Sequence, residues 1–427
     1  MNSAATEDIE LTDGSACELM HPRAWNGYLV SQPDLFDDEI DRAFQSWLAV
    51  HGFASVRHTR DVRGWDIERG IANHREATAL FRERFGAPPA GEIVLGASMG
   101  GLLARILVEQ DPDSFAGALP MDGGGAGLLA TFNRGFDMAF VVSQLLAPEA
   151  PIVLADAPSV AEQLTRLAAV IAAARRNASG VARLALAASI GAVPVWSDPT
   201  RAEPPADDPL QEADHLISGM ASTIGPAYGF RALVEELVGG VVIDNVHVDY
   251  AQSLQISGAS GRVQVLYDEA GLSLADDLQA LADAPRVAAS SAAVDSATRG
   301  AVVEGRVRCP VFVLKSLGDP DASVAEENAY LAAASRAGSR DLVRVGYVHS
   351  AGHVNATLAE RAAALSVLVE RIESGGWQGL TSAPALNERA ARIAADARWD
   401  FTLRRAPGLD TRVSRFVSCE PWPYPRA

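Results

Sequence analysis

The stretch EIVLGASMGGLLARILVE, from Glu92 to Glu109, decides how this chain is read. An apolar run ends in Gly96-Ala97-Ser98-Met99-Gly100, Gly101 follows, and an apolar helical pattern continues beyond it. A Gly-x-Ser-x-Gly sequence closing a strand and opening a helix is the pattern of a nucleophile elbow. The glycines have a steric reason. A turn this tight forces its central residue into a strained conformation, and side chains two positions away on either side would clash. The Ser98 hydroxyl is then expected to stand clear of the sheet. The Met99 N–H, at the helix start, would point to where negative charge develops during acyl chemistry.

Working outward, the same alternation recurs. NGYLVSQPD (Asn26–Asp34) reads as a buried strand stopped by Pro33, and DEIDRAFQSWLAVHG as a helix with Ile40, Phe44, Trp47 and Leu48 on one face and Gly52 as its cap. FASVRH is a strand, DIERGIANHREATALFRERFG a long amphipathic helix ending at Gly86, and FAGALPMDGGG another strand. Strands and helices alternating in this way predict an α/β domain whose mostly parallel sheet carries helices on both faces. The rhythm stops near Gly127 and resumes at CPVFVLKSLGD. It then continues through the helix VAEENAYLAAASRAG, the strand DLVRVGYVHSAGH and the helix ATLAERAAALSVLVERIESGG. The predicted organisation is therefore a core in two parts, residues 1–127 and 304–376. A mainly helical insertion, 128–303, separates them, and a C-terminal extension, 377–427, packs on the core with a helix at Leu386–Arg398.

A serine hydroxyl needs a base to take its proton and a third group to orient that base. In this architecture the order along the chain is serine, acid, histidine, with the last two just past late strands. VFVLKSLGDPD supplies Asp319, with Asp321 as the competing acid, and VRVGYVHSAGH supplies His353, with His349 inside the strand as the competing base. Asp319 is preferred because it follows Gly318 directly, and His353 because the SAGH loop frees it. His21, His51, His58, His74, His215 and His247 have no comparable setting.

Composition narrows the function class. A net charge of −18 and the lack of any Lys/Arg cluster argue against nucleic acid and against an anionic membrane surface as partners. Cys17, Cys309 and Cys419 show no metal spacing and are odd in number. The acidic start MNSAATEDIELTDGSACELMHP has no apolar run of a secretory leader, which predicts a cytoplasmic location. The expected partner is a small-molecule substrate. The chemistry asks for no cofactor and no metal, and nothing in the sequence sets an oligomeric state.

With these residues in hand, the chain resembles the α/β-hydrolase superfamily, and within it the capped serine hydrolases and esterases. The resemblance runs from WNGYLV through GASMGGLLARIL, GALPMDGGG and FDMAFVV to LGDP and YVHSAGH. It implies Ser98 as nucleophile, Asp319 as acid and His353 as base. Such enzymes carry His-Gly after the strand matched by GYLVS, where a backbone N–H completes the oxyanion hole. This chain has Ser31-Gln32-Pro33-Asp34 instead, and Pro33 has no N–H to give. The second donor beside Met99 is then the N–H of Asp34 or Leu35, or the Gln32 side-chain amide. The insertion is expected to act as a lid. Phe136, Met138, Phe140 and Trp196 from it, with Trp65 from the core, are candidates to line an apolar substrate cavity. The function expected is hydrolysis of a carboxylic ester or lactone of a bulky, rather apolar substrate. Acyl transfer, elimination or cyclisation of a specialised metabolite is the alternative.

Overall fold

The computed structural model describes residues 4–34, 36–59, 65–206 and 208–426. The chain begins with strands β1 (Ala5–Glu10), β2 (Ala16–His21) and β3 (Tyr28–Gln32). Helix α1 (Glu39–Val50), β4 (Ala54–His58), α2 (Ile67–Phe85), β5 (Gly91–Ala97), α3 (Met99–Gln110) and β6 (Gly117–Met121) follow. Helices come next: α4 (Leu128–Leu146), α5 (Val160–Ala174), α6 (Ala178–Ile190), α7 (Pro209–Val238), α8 (Tyr250–Ile256), α9 (Ser260–Glu269), α10 (Leu274–Asp283) and α11 (Ser291–Ala297). The chain closes with β7 (Val311–Gly318), α12 (Val324–Ala337), β8 (Val343–Ala351), α13 (Leu358–Ser374), α14 (Ala383–Ile393) and β9 (Phe416–Val417).

Two compact units result. The first comprises Met1–Gly125, Gly300–Leu317 and Tyr330–Glu420. Among the described residues its strands form one sheet in the order β1-β2-β4-β3-β5-β6-β7-β8-β9. The pairs β4–β3, β3–β5, β5–β6 and β6–β7 are parallel, while β1–β2, β2–β4 and β8–β9 are antiparallel. Successive residues of β3 show how both faces are covered. Val30 packs in a cluster with Phe44 and Trp47 of α1 and Leu365 of α13, whereas Leu29 packs with Ala77 and Phe81 of α2. A strand buried on both sides must be apolar at consecutive positions, which is why YLV and IVLG read as unbroken runs.

The sequence reading missed β1 and β2. Strand β1, ATEDIE, is an edge strand with an exposed acidic surface, so it carries no core-facing pattern. Its charges also discourage pairing with another chain. Helix α14 sits slightly earlier than the predicted Leu386–Arg398, starting where the Ser382 side chain accepts the Ala385 N–H. The first helix is capped at His51, and Gly52 follows with a left-handed φ of 80°.

The second unit comprises Ala126–Arg299, Gly318–Ala329 and Pro421–Ala427. Long-range hydrogen bonds explain why two short, distant segments join the helices. Arg134 of α4 donates to the carbonyls of Pro320 and Asp321, and the Ser323 hydroxyl donates to Ala192 O at 2.9 Å. From the C-terminal segment, Tyr424 donates its hydroxyl to Ala130 O at 2.8 Å, and Arg426 pairs with the buried Asp137 at 2.7 Å. No helix among the described residues is long and apolar enough to cross a membrane.

Candidate active site

Ser98 stands between β5 and α3 with φ 57° and ψ −122°. That region is costly for a residue with a side chain and persists only where its surroundings enforce it. Here the enforcement is steric and visible. A Cβ on Gly96 would lie 2.0 Å from Gly100 O, and one on Gly123 would lie 2.3 Å from Ser98 O. The Ser98 N–H donates to Met121 O at 2.9 Å, and Ser98 O accepts from Gly101 N at 2.9 Å. Serine is normally among the best helix caps, because an extended backbone lets its oxygen accept an N–H of the first turn. Ser159 and Ser273 do this at the starts of α5 and α10. Ser98 makes no capping bond, since its backbone is turned away from the extended region. Its half-buried hydroxyl is not used to cap the helix.

The side of the elbow where the sequence places the oxyanion hole is built tightly. A Cβ on Gly100 would meet Pro33 O at 2.4 Å, so the loop after β3 lies directly on the start of α3. Within that loop Gln32 and Asp34 are buried, and Asp34 takes a left-handed φ of 58°. Met99 is buried at the first position of α3. Leu35 lies outside the described residues.

Because β5, β6 and β7 are parallel, the chain leaves all three at the same sheet edge, after Ala97, Met121 and Gly318. Asp122, just past β6, is a carboxylate at this edge that sequence reasoning did not single out. It is committed elsewhere. Lys315 Nζ, fully buried within β7, donates to it at 3.0 Å, and Ser316 donates its N–H at 2.7 Å and its hydroxyl at 2.8 Å. Asp319 is 1% exposed, and its Oδ1 accepts the N–H groups of Asp321 at 2.9 Å and Ala322 at 3.1 Å. These bonds fix the Asp319 carboxylate on its own loop, whereas Asp321 is half-buried.

His353 is half-buried in the loop after β8, between two left-handed residues, Gly352 (φ 94°) and Val354 (φ 55°). Three side chains that sequence reasoning missed hold this loop. Asn355 donates to Ala351 O at 2.7 Å, Arg415 to Asn355 O at 3.0 Å and Arg361 to Val354 O at 3.3 Å. The competing His349 lies within β8, its N–H bonded to Arg415 O.

Of the candidate lining residues, Phe136, Met138 and Phe140 are buried on α4 within the second unit. Phe140 stacks on Tyr250 at 5.4 Å, and Met138 packs so closely on Gly191 that a Cβ there would meet its sulfur at 2.4 Å. Trp196 is half-buried and donates its indole N–H to Arg201 O at 2.9 Å. Trp65, half-buried, sits just before α2. Cys17 and Cys309 are poor competing nucleophiles, since burial pushes their thiols up to about 12.

A mostly parallel sheet covered by helices on both faces now carries a strained serine between its fifth strand and the helix after it, with Asp319 and His353 in loops after later strands. The chain has the α/β-hydrolase fold. No protein-family model matches it. Over 403 residues it is 28% identical to an o-phthalyl amidase of Xanthobacter agilis, covering 88% of this chain and 89% of that protein. Solved α/β-hydrolase structures similar to it include feruloyl esterase B from Aspergillus oryzae, with TM-score 0.43 and 14% identity over 87% of this chain and 80% of that one. Candida antarctica lipase A matches with TM-score 0.43 and 10% identity over 87% and 78% of the two chains. A brefeldin A esterase of bacterial origin matches with TM-score 0.37 and 15% identity over 93% and 77%.

Proposed function

We propose that this chain is a serine hydrolase that cleaves a carboxylic acyl bond, in an ester, a lactone or an amide, through an acyl-enzyme. The observation that carries the reading is the conformation of Ser98, an enforced positive φ that takes a good capping residue away from its cap. Strain of this kind is kept where a function needs it. In this reading Ser98 attacks the acyl carbon while His353 takes the hydroxyl proton and passes it to the leaving group. Asp319 orients the imidazole, and the Met99 N–H with a donor from Gln32–Asp34 receives the oxyanion. The N-terminal end of α3 adds its partial positive charge.

The name of the Xanthobacter relative makes a phthalyl amide the first amide to test, beside p-nitrophenyl esters of short and aromatic acids. The expected result is turnover of at least one substrate class, with Ser98→Ala and His353→Ala each losing at least about 10³-fold. Folded wild-type protein that turns over neither class would count against the reading. A second reading, acyl transfer, elimination or cyclisation, is favoured by Pro33, which places a carbonyl rather than an N–H beside Gly100. Hydrolysis in ¹⁸O-water separates the two. One label in the acid product means hydrolysis, and an unlabelled product means the alternative.

A further inference from the structure

We infer that Asp41 and Arg361 form a buried positioning pair that ties the His353 loop to the loop after β3, so that the base and the oxyanion wall keep one spacing. The inference rests on the serine-hydrolase reading above.

Arg361, on α13, is 1% exposed, and Asp41, in the first turn of α1, is 8% exposed. Arg361 Nη1 donates to Asp41 Oδ1 at 2.7 Å, and Arg361 Nη2 donates to Val354 O at 3.3 Å. One planar guanidinium thus holds two things at once. The first is the helix that begins a few residues after Asp34. The second is the carbonyl next to His353. Val354 is β-branched with φ 55°, a conformation that costs energy and needs an external hold. The pair also borders the elbow. Gln32, Pro33, Asp34, Gly96, Ala97 and the pair itself surround a cavity of about 20 Å³, room for one water. Three polar atoms of residues on this cavity, Gln32 Nε2, Asp41 Oδ2 and Arg361 Nε, have no hydrogen-bond partner among the described residues. Buried ion pairs contribute little net stability compared with apolar groups of the same size. A stability role alone therefore gives little reason for two charges in this place. A geometric role explains their location, because the two ends of the pair reach the two walls that must face Ser98.

The test uses the full chain and four variants: Arg361→Met, Arg361→Lys, Asp41→Asn, and the double variant Asp41→Leu/Arg361→Met. The double variant removes both charges, so it folds without an orphaned ion. Ester kcat and KM are measured with thermal unfolding and with amide hydrogen exchange over residues 352–356. The double variant is expected to melt at or above the wild-type temperature while kcat falls about 10²-fold, the cost of a misplacement near 1 Å. KM should stay within about threefold, and exchange at Val354 and Asn355 should speed up. Arg361→Lys, which keeps one charged donor, should recover part of kcat. A folded double variant with kcat within about twofold of wild type and unchanged exchange would overturn the inference. Exchange reads the loop without any turnover. A wild type that hydrolyses nothing would defeat the functional reading, while unchanged exchange would defeat the pair.

Discussion

Gly96→Ala perturbs the elbow with a single methyl group. Gly96 lies in β5 with an ordinary φ, so what its Cβ would lack is space rather than backbone freedom. The added carbon would sit 2.0 Å from Gly100 O and 2.3 Å from Gly100 C, both main-chain atoms that no rotamer change can move. Ordinary contact begins near 3.4 Å, so the first turn of α3 must retreat by about 1.4 Å. That turn carries Met99 N–H and the bonds from Gly101 and Leu102 to Ser98 O, so Ser98 and the oxyanion donor proposed for it shift together. A misplacement near 1 Å costs about 10²-fold in rate. The expected loss in kcat is therefore about 10²–10³-fold, or about 3–4 kcal/mol of transition-state stabilisation. Overpacking should lower stability by about 1–3 kcal/mol. The assay pairs ester turnover with calorimetric unfolding. Gly86→Ala is the control: its φ of 88° makes alanine strained, but nothing lies within 4 Å of the new carbon and it caps α2. It should lose about 1 kcal/mol of stability and none of the activity. Gly96→Ala protein that folds and keeps kcat within threefold of wild type would refute the claim that this turn is sterically set.

Three further outcomes follow from buried charges. Lys315→Met leaves the Asp122 carboxylate without its cation, and should cost about 3–5 kcal/mol in urea unfolding, part of it recovered by adding Asp122→Asn. Arg426→Ala strands Asp137, whose carboxyl burial already pushes up in pKa, and should destabilise the second unit by a similar amount, read as faster limited proteolysis between residues 126 and 299. Burial, reinforced by His74, depresses the His58 imidazole to about 4, so the folded form is neutral where the unfolded chain binds a proton. Stability should thus be complete above pH 6.5 and fall by about 3 kcal/mol as pH drops from there toward 4; His58→Gln should flatten that slope in Tm against pH.

What could be read from the chain in advance was local. The elbow depends on residues within five positions of each other, and steric demand alone makes Gly96, Ser98 and Gly100 legible together. The central strands announce themselves because burial on both faces requires consecutive apolar residues. The edge strand β1 has no such requirement, and ATEDIE gives no pattern to find. The supports of the site are long-range. Lys315 sits in an apolar run and finds Asp122 across 193 positions, and Arg361 finds Asp41 across 320. No periodicity encodes such pairings. The same holds for the segments around Asp319 and Tyr424, which join the helical unit through a few long-range hydrogen bonds, to Arg134, Ala192, Ala130 and Asp137.

Ser98 is proposed to be a nucleophile held ready on its turn. Reaction of the intact protein with a fluorophosphonate, followed by peptide mass spectrometry, tests it most directly. One adduct per chain is expected, on Ser98, absent from Ser98→Ala protein that still folds. Wild-type protein that hydrolyses a substrate yet carries no adduct, or carries it on another residue, would contradict it.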